Sequence, residues 1–193
     1  MIKLFGKSLG RNVGFRGLVK MATGPTYVIQ YRRKRKGVTD YKKRLNILKS
    51  KKDRLVVRSS NKHTLVQLIR YNPDGDMVIA SAHSSELKKF GWNHNTSNTP
   101  TAYLTGLLGG LRAKSKDIRT AILDNGLLTS VKGNGIYSAL KGAVDSGLEI
   151  QHDESVFPTE SRIRGEHIVN YTKKDIATDF DKIKKVILDK FNK

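Results

Sequence analysis

Residues 54–80 of the chain read RLVVRSSNKHTLVQLIRYNPDGDMVIA. Short runs of β-branched and other apolar residues fill positions 54–58, 63–71 and 77–80, and polar segments separate them. The second separator, residues 72–76, joins Pro, Asp and Gly in a strong turn signal. Strands joined by short connections pair antiparallel, so this stretch predicts an antiparallel meander.

Downstream, helical and strand patterns alternate. Thr99 is predicted to cap a helix that Pro100 starts, and glycines 106, 109 and 110 permit this helix to pack closely. Its apolar stripe is Tyr103, Leu104, Leu107, Leu108 and Leu111. Residues 121–124 read as a buried strand, which a second helix follows. The apolar face of that helix is Ile136, Tyr137, Leu140, Ala143 and Val144. This alternation predicts a mixed α/β sheet with crossover helices.

Two further helices flank this core pattern. Residues 40–52 predict a short basic helix with Tyr41, Leu45 and Leu48 at helical spacing. From Thr172 the chain predicts an amphipathic C-terminal helix, with its acidic residues early and its lysines late. Its apolar face is Phe180, Ile183, Ile187 and Phe191.

The composition bounds the class of function. The chain has 193 residues and 37 Lys and Arg against 17 Asp and Glu, for a formal net charge of +20. Such an excess points to a polyanionic partner, either nucleic acid or an anionic membrane surface. No stretch approaches the roughly 20 apolar residues of a membrane span. Because the chain has no cysteine, disulfides, thiolate nucleophiles and cysteine-based zinc sites are excluded.

The charge is concentrated near the N-terminus. Residues 1–62 hold 19 basic and two acidic side chains, whereas residues 63–193 hold 18 and 15. Two tyrosines, Tyr31 and Tyr41, interleave with the densest cations, which are Arg32, Arg33, Lys34, Arg35, Lys36, Lys42, Lys43 and Arg44. This pattern favours RNA, because arginine forks bind phosphate and tyrosines stack on unpaired bases. A solvated face, a localisation signal and ordinary packing of the tyrosines remain open readings.

Residues 1–20 contain five cations and no acid. Three readings stay open: an extended or disordered leader, an organellar presequence, and a start of the natural protein at Met21. We favour the third, because residues 21–25 read as a natural beginning.

Catalytic and metal-binding patterns are weak. The Gly133, Asn134, Gly135 segment lacks the spacing of a phosphate-binding loop and predicts the start of a helix. His83 and Glu86, and the 152–154 segment, place acid and base groups close in sequence without an oriented third group. No pair of histidines has metal-ligand spacing. We therefore expect no enzyme activity, no metal, no cofactor and no small-molecule substrate.

The loop at residues 93–98, NHNTSN, is rich in amides and hydroxyls. Such groups can bond RNA phosphates, sugars and splayed bases, so Trp92 and Asn95 are candidate contacts. A solvated loop is the alternative.

Several segments together resemble one family, the large-subunit ribosomal proteins called L eighteen in archaea and L five in eukaryotes, which bind 5S rRNA. The similarity runs from about residue 21 to residue 168. The most specific segments are TDYKKRL at 39–45, RLVVRSSNKH at 54–63, ASAHSSEL at 80–87, GW at 91–92, NTPTAYLTG at 98–106, LKGAVD at 140–145 and RIRGEH at 162–167. Residues 24–27 and the cations at 32–36 precede them in the order of the archaeal form.

The resemblance implies a three-layer α/β core at residues 54–168 with a basic RNA-binding arm at 21–53. The predicted C-terminal amphipathic helix at 169–193 lies beyond the similarity. The resemblance also implies RNA contacts by the arm at 32–44 and by a strand and turn made of Arg58, Ser59, Ser60, Asn61, Lys62 and His63. The implied partners are 5S rRNA, large-subunit rRNA and neighbouring ribosomal proteins, in the central protuberance of the cytoplasmic large subunit. Two rivals remain: an RNA-processing enzyme that uses His83 and Glu86, and a membrane-surface or chromatin adaptor that binds any polyanion.

Overall fold

The computed structural model describes residues 24–172 and 175–191, in two units that divide at Tyr41. The first unit, described from Gly24, contains one short helix, α1 (Arg32–Arg35). Helix α2 (Tyr41–Leu48) begins at the division and lies in the second unit from Lys42 onward, which confirms the short basic helix. The leader at residues 1–20 and the predicted start at Met21 lie outside the described residues.

The second unit is built on a five-stranded sheet in the order β3-β2-β1-β4-β5. Strands β1 (Asp53–Ser59), β2 (Thr64–Arg70) and β3 (Met77–His83) pair antiparallel, which confirms the meander. Strand β4 (Thr120–Asp124) pairs parallel with β1, and the two-residue β5 (Glu149–Ile150) pairs parallel with β4. The sheet is therefore mixed, as the alternation of helices and strands predicts.

Two helices cover one face of this sheet. They are α3 (Thr99–Lys114) and α4 (Gly135–Asp145). Leu55, Val57, Val66 and Leu68 point from the strands into the core beneath them and are at most 1% exposed. Full burial of each such side chain contributes roughly 1.5–3 kcal/mol, so this face drives the folding of the sheet.

The start of α3 differs by one residue from the prediction. Asn98 is the cap, because its Oδ1 accepts a hydrogen bond from the backbone N–H of Thr101 at 3.1 Å. Thr99 is already helical and Pro100 lies in the first turn. Both residue types cap helices well, so the local sequence did not separate them.

Helix α3 is buried on nearly every side because a third layer packs on its far face. That layer is mainly α7 (Ile176–Phe191), whose Ile176, Phe180, Ile183 and Ile187 are buried as the predicted apolar face requires. The helix begins four residues later than predicted, since Thr172 ends a separate helix, α6 (Glu166–Thr172). The layers are thus the sheet, then α3 with α4, then α7.

The sequence patterns did not predict several short elements. They are a 3-10 helix (Ser84–Phe90), a second one (Glu154–Val156), strand β5 and helices α5 (Glu160–Arg164) and α6. Each is too short to display a helical or strand period.

Candidate RNA-binding surfaces

The described part of the first unit, from Gly24 onward, presents its cations on one turn of helix. We call residues 31–36 the basic turn. None of the four residues of α1 is buried, and within the described part of the chain the cations 32–36 form no ion pair. Gly37 follows with φ +63°, a conformation that glycine adopts without strain, and the Nε of Arg33 donates to the Thr39 hydroxyl at 2.8 Å. The conformation of the turn is thus fixed by local bonds, and no described carboxylate neutralises its charge.

The two tyrosines near this turn pack against each other. The ring centroids of Tyr31 and Tyr41 lie 5.0 Å apart at 41°. Tyr41 is half-buried, whereas Tyr31 is 72% exposed. Tyr31 can therefore pack against Tyr41 and still stack on an RNA base, since most of its surface is exposed.

In the second unit, the predicted cations on α2 bond to protein acceptors. The Nζ of Lys43 donates to Asn125 Oδ1 at 2.5 Å and to the Gly126 carbonyl at 2.9 Å. The NH2 group of Arg44 donates to both carboxylate oxygens of Asp76, at 2.8 and 2.9 Å. Lys42 lies exposed on the same helix. These bonds fix α2 to the loops after β4 and β2, so Lys43 and Arg44 hold the helix in place.

Arg54 links these contacts into a chain of charges. Its side chain is 4% exposed and donates to Asp76 at 2.6 Å and to Asp124 at 3.0 Å. Arg58 donates to the Asp124 carbonyl at 3.0 Å, with its NH2 3.8 Å from the Asp124 carboxylate, and stays 45% exposed. A buried cation requires such partners, because desolvation would otherwise dominate. The sequence analysis identified Arg58 as an RNA contact but did not identify Asp124 as its acidic partner.

The predicted strand and turn form the tip of the β1–β2 hairpin. Ser60 holds it: its N–H and hydroxyl both donate to the His63 carbonyl, at 2.8 and 2.9 Å. The N–H of His63 donates back to the Ser60 hydroxyl at 3.0 Å. Ser59, Asn61 and Lys62 are exposed beside this clasp. The amide of Asn61 is therefore presented on a rigid turn.

This tip touches the amide-rich loop at 93–98. The Thr96 hydroxyl donates to the Lys62 carbonyl at 2.5 Å and lies 3.2 Å from Nδ1 of His63. The same Nδ1 is 3.3 Å from the buried Ser84 hydroxyl, so His63 is half-buried between two hydroxyls. We call residues 58–63 and 93–98 together the hairpin junction. Thr96 completes it, and no local signal distinguished Thr96 from its neighbours.

Trp92 lies in the core beneath the junction. The ring is 0% exposed, and its Nε1 donates to the Asn95 carbonyl at 3.2 Å. The Asn95 side-chain oxygen accepts from the N–H of Ser97 at 2.9 Å. Trp92 thus positions the loop from below, and Asn95 is the exposed member of the pair.

His83 and Glu86 form a capping box on the 3-10 helix. The N–H of Ser85 donates to Nδ1 of His83 at 3.2 Å, and the N–H of His83 donates to Glu86 at 2.9 Å. Arg112 pairs with Glu86 at 2.6 Å, and this hydrogen bond holds the pKa of Glu86 below its usual value. Both side chains are thereby engaged in structure. No group of three or more metal-ligating residues occurs in the part of the chain that the structure describes.

None of the described helices is long and apolar enough to cross a bilayer.

Known proteins resemble this chain over most of its length. A family model described as "Ribosomal large subunit proteins 60S L5, and 50S L18" matches residues 25–118 and 112–153. A curated protein of Methanococcoides burtonii, named large ribosomal subunit protein uL18, is 46% identical over 89% of this chain and all of its own length. Proteins of the same name from Halobacterium salinarum and Methanothermobacter thermautotrophicus are 51% and 50% identical over 78% of this chain, and over 82% and 79% of theirs.

Proposed function

Because the chain belongs to the family of large-subunit ribosomal proteins that its relatives represent, we propose that it binds 5S rRNA and attaches it to large-subunit rRNA in the central protuberance. Membership makes the chain an rRNA-binding constituent of the large ribosomal subunit, which works in the cytoplasm. The proposal adds that the bound RNA is 5S rRNA, that the location is the central protuberance, and that the role involves no catalytic step.

The observation that carries the proposal is the contrast between two surfaces. The basic turn offers cations with no ion pair among the described residues, and the hairpin junction offers the neutral amides of Asn61 and Asn95 beside the cations Arg58 and Lys62. Phosphate contacts supply affinity without reading sequence or shape, whereas fixed neutral groups read irregular RNA. A protein that must select one folded RNA needs both.

The basic turn is expected to supply affinity alone. Changing Arg32, Arg33 and Arg35 to Gln should weaken binding to 5S rRNA and to an unrelated structured RNA by the same factor. Each lost phosphate contact removes about 0.9 units from the slope of log affinity against log salt on duplex, so the slope should fall by up to about 2.7. Filter binding at several salt concentrations measures both quantities.

A matched control is available on α7. Lys182, Lys185 and Lys190 are three exposed cations on one helix, and changing them to Gln removes the same charge. If this control flattened the slope as much as the arginine variant, the affinity would come from net charge and not from the basic turn.

The hairpin junction is expected to supply discrimination. Asn61→Ala should narrow the preference for 5S rRNA over the unrelated RNA by about 5- to 150-fold, equivalent to losing roughly 1–3 kcal/mol of hydrogen bonding. The salt slope should not change, since a neutral amide releases no counterions. Asn61 is a cleaner probe than His63, whose loss would also disturb Ser84 and Thr96.

Gln151→Ala removes an exposed amide far along the chain and serves as the control. Should the unaltered protein show no preference for 5S rRNA at physiological salt, the proposed function fails and binding to any polyanion is the better account.

A further inference from the structure

A cleft with an apolar floor opens between the end of α2 and the sheet, and it shares no residue with the basic turn or the hairpin junction. Its volume is about 630 Å³. Its lining residues are Leu45, Leu48, Lys49, Lys51, Lys52, Asp53, Arg70 and Tyr71. Leu45 is 58% exposed and Tyr71 is 52% exposed. Exposed apolar side chains surrounded by polar residues are a feature of binding sites, although this patch is small.

The charge around this cleft is positive. Arg70 forms a two-pronged bond with Asp53 at 3.0 and 2.8 Å, which neutralises the one acidic group of the lining. Lys49, Lys51 and Lys52 are exposed, and none has an ion pair within the described ranges. An occupant must therefore combine negative charge with a flat or apolar part.

Lys51 adds an independent observation. Its φ is +56°, in the left-handed region, where its N–H donates to the Leu48 carbonyl and ends α2. Glycine is the usual residue at such a helix end because a side chain is strained there. Backbone preference thus does not account for lysine at this position, and the strain points to a use for its side chain.

We propose that this cleft binds an unpaired nucleotide of ribosomal RNA. The base lies against Leu45 and Leu48 and stacks on the Tyr71 ring, while Lys49, Lys51 and Lys52 hold the adjoining phosphates. Aromatic and apolar surface beside lysines is the combination that binds single-stranded RNA. The proposal adds an RNA contact to the proposed function and rests on it only in taking rRNA as the partner.

Ultraviolet crosslinking of the full chain to a short oligouridylate, followed by mass spectrometry, tests this site separately from the basic turn. We expect a crosslink at Tyr71. Lys51→Gly removes the cation and relieves the backbone strain, so the fold is kept while the Tyr71 crosslink falls severalfold. Its salt dependence should flatten by about 0.7 units, the value for one phosphate contact on a single strand. Lys185→Gln removes one exposed lysine on α7 and should leave the crosslink unchanged.

A second variant separates stacking from apolar contact. Tyr71→Leu keeps the apolar floor but removes the ring. With Arg32, Arg33 and Arg35 already changed to Gln, so that the basic turn contributes little, the affinity for oligouridylate measured by filter binding should weaken about fivefold or more. An abasic ribose-phosphate oligomer of equal length should compete far less well than oligouridylate.

Three results would overturn the inference. They are crosslinks confined to the basic turn, equal effects of Lys51→Gly and Lys185→Gln, and a leucine- and glutamate-containing peptide that blocks the Tyr71 crosslink better than unlabelled oligouridylate. The last result would assign the cleft to an acidic protein segment. Affinity for 5S rRNA is measured in parallel. If the protein prefers 5S rRNA but gives no Tyr71 crosslink, only this inference is wrong. If the protein shows no preference for 5S rRNA, the proposed function is wrong.

Discussion

Gly142→Ala should lower the free energy of unfolding by about 3 kcal/mol or more, at or beyond the upper end for overpacked cores. A Cβ built at Gly142 of α4 lies 2.1 Å from the Tyr103 carbonyl oxygen of α3. One built at Gly106 of α3 lies 1.9 Å from the Ala139 carbonyl oxygen of α4, so the contact is reciprocal. The two helices meet backbone to backbone, and no rotamer change can make room for a methyl group.

Helix propensity alone predicts the opposite sign. Alanine favours a helix interior by about 1 kcal/mol over glycine, so without the contact Gly142→Ala would stabilise the protein. Urea unfolding followed by circular dichroism measures the difference. Because total stability is typically 5–15 kcal/mol, the variant should still fold in the absence of denaturant.

Alanine substitutions at two other glycines should lower the free energy of unfolding by smaller amounts. A Cβ at Gly109 would lie 3.1 Å from a methyl group of Val66, which can shift, so Gly109→Ala should cost distinctly less. Gly75 has nothing within 4 Å, and Gly75→Ala should have little effect. Equal costs at Gly142 and Gly75 would contradict the close packing of α3 on α4.

Asp124→Ala should destabilise the protein by about 3 kcal/mol, the lower end of the cost of breaking a buried ion pair, because Arg54 keeps Asp76 as a second partner. Arg54 is 3% exposed, and its bonds to Asp124 and Asp76 compensate for its desolvation. Asp124 also accepts the N–H of Gly126 at 2.8 Å, which shapes the loop that Lys43 contacts. Loss of Asp124 should therefore loosen α2 as well as the sheet.

A double-mutant cycle with Arg54→Met isolates the ionic part. When the cation is already absent, removal of Asp124 should cost less, with a coupling of roughly 0.5–3 kcal/mol. Asp74→Ala is the matched control, since Asp74 is exposed and forms no ion pair among the described residues. Additive costs in the cycle would mean that Arg54 and Asp124 do not depend on each other.

Local patterns predicted the elements and faces well. Period-two and helical spacing identified the meander, α3, α4 and the buried face of α7, because these segments are long enough to repeat. Boundaries were less well predicted. Asn98 replaced Thr99 as a cap, and α7 began at Ile176, since neighbouring polar residues of similar type compete for such positions.

The sequence by itself determined that this chain carries a large cationic excess near its N-terminus and that glycines allow its central helix to pack closely. Composition and short-range spacing contain that information in full. Only the tertiary structure decided which cations the carboxylates of the protein neutralise. Asp76 lies 32 residues from Arg44, and Asp124 lies 70 from Arg54, yet these carboxylates pair with the arginines, whereas no described carboxylate forms an ion pair with the basic turn.

The hairpin junction is likewise decided by the tertiary structure and not by the local sequence. Thr96 reaches the carbonyl of Lys62 across 34 residues, and Trp92, predicted as a candidate RNA contact, is buried in the core and supports the loop from inside. Pairing of this kind depends on side-chain positions that strand register and helix packing set together. No local pattern contains those positions, because they exist only once the sheet and its helices have assembled.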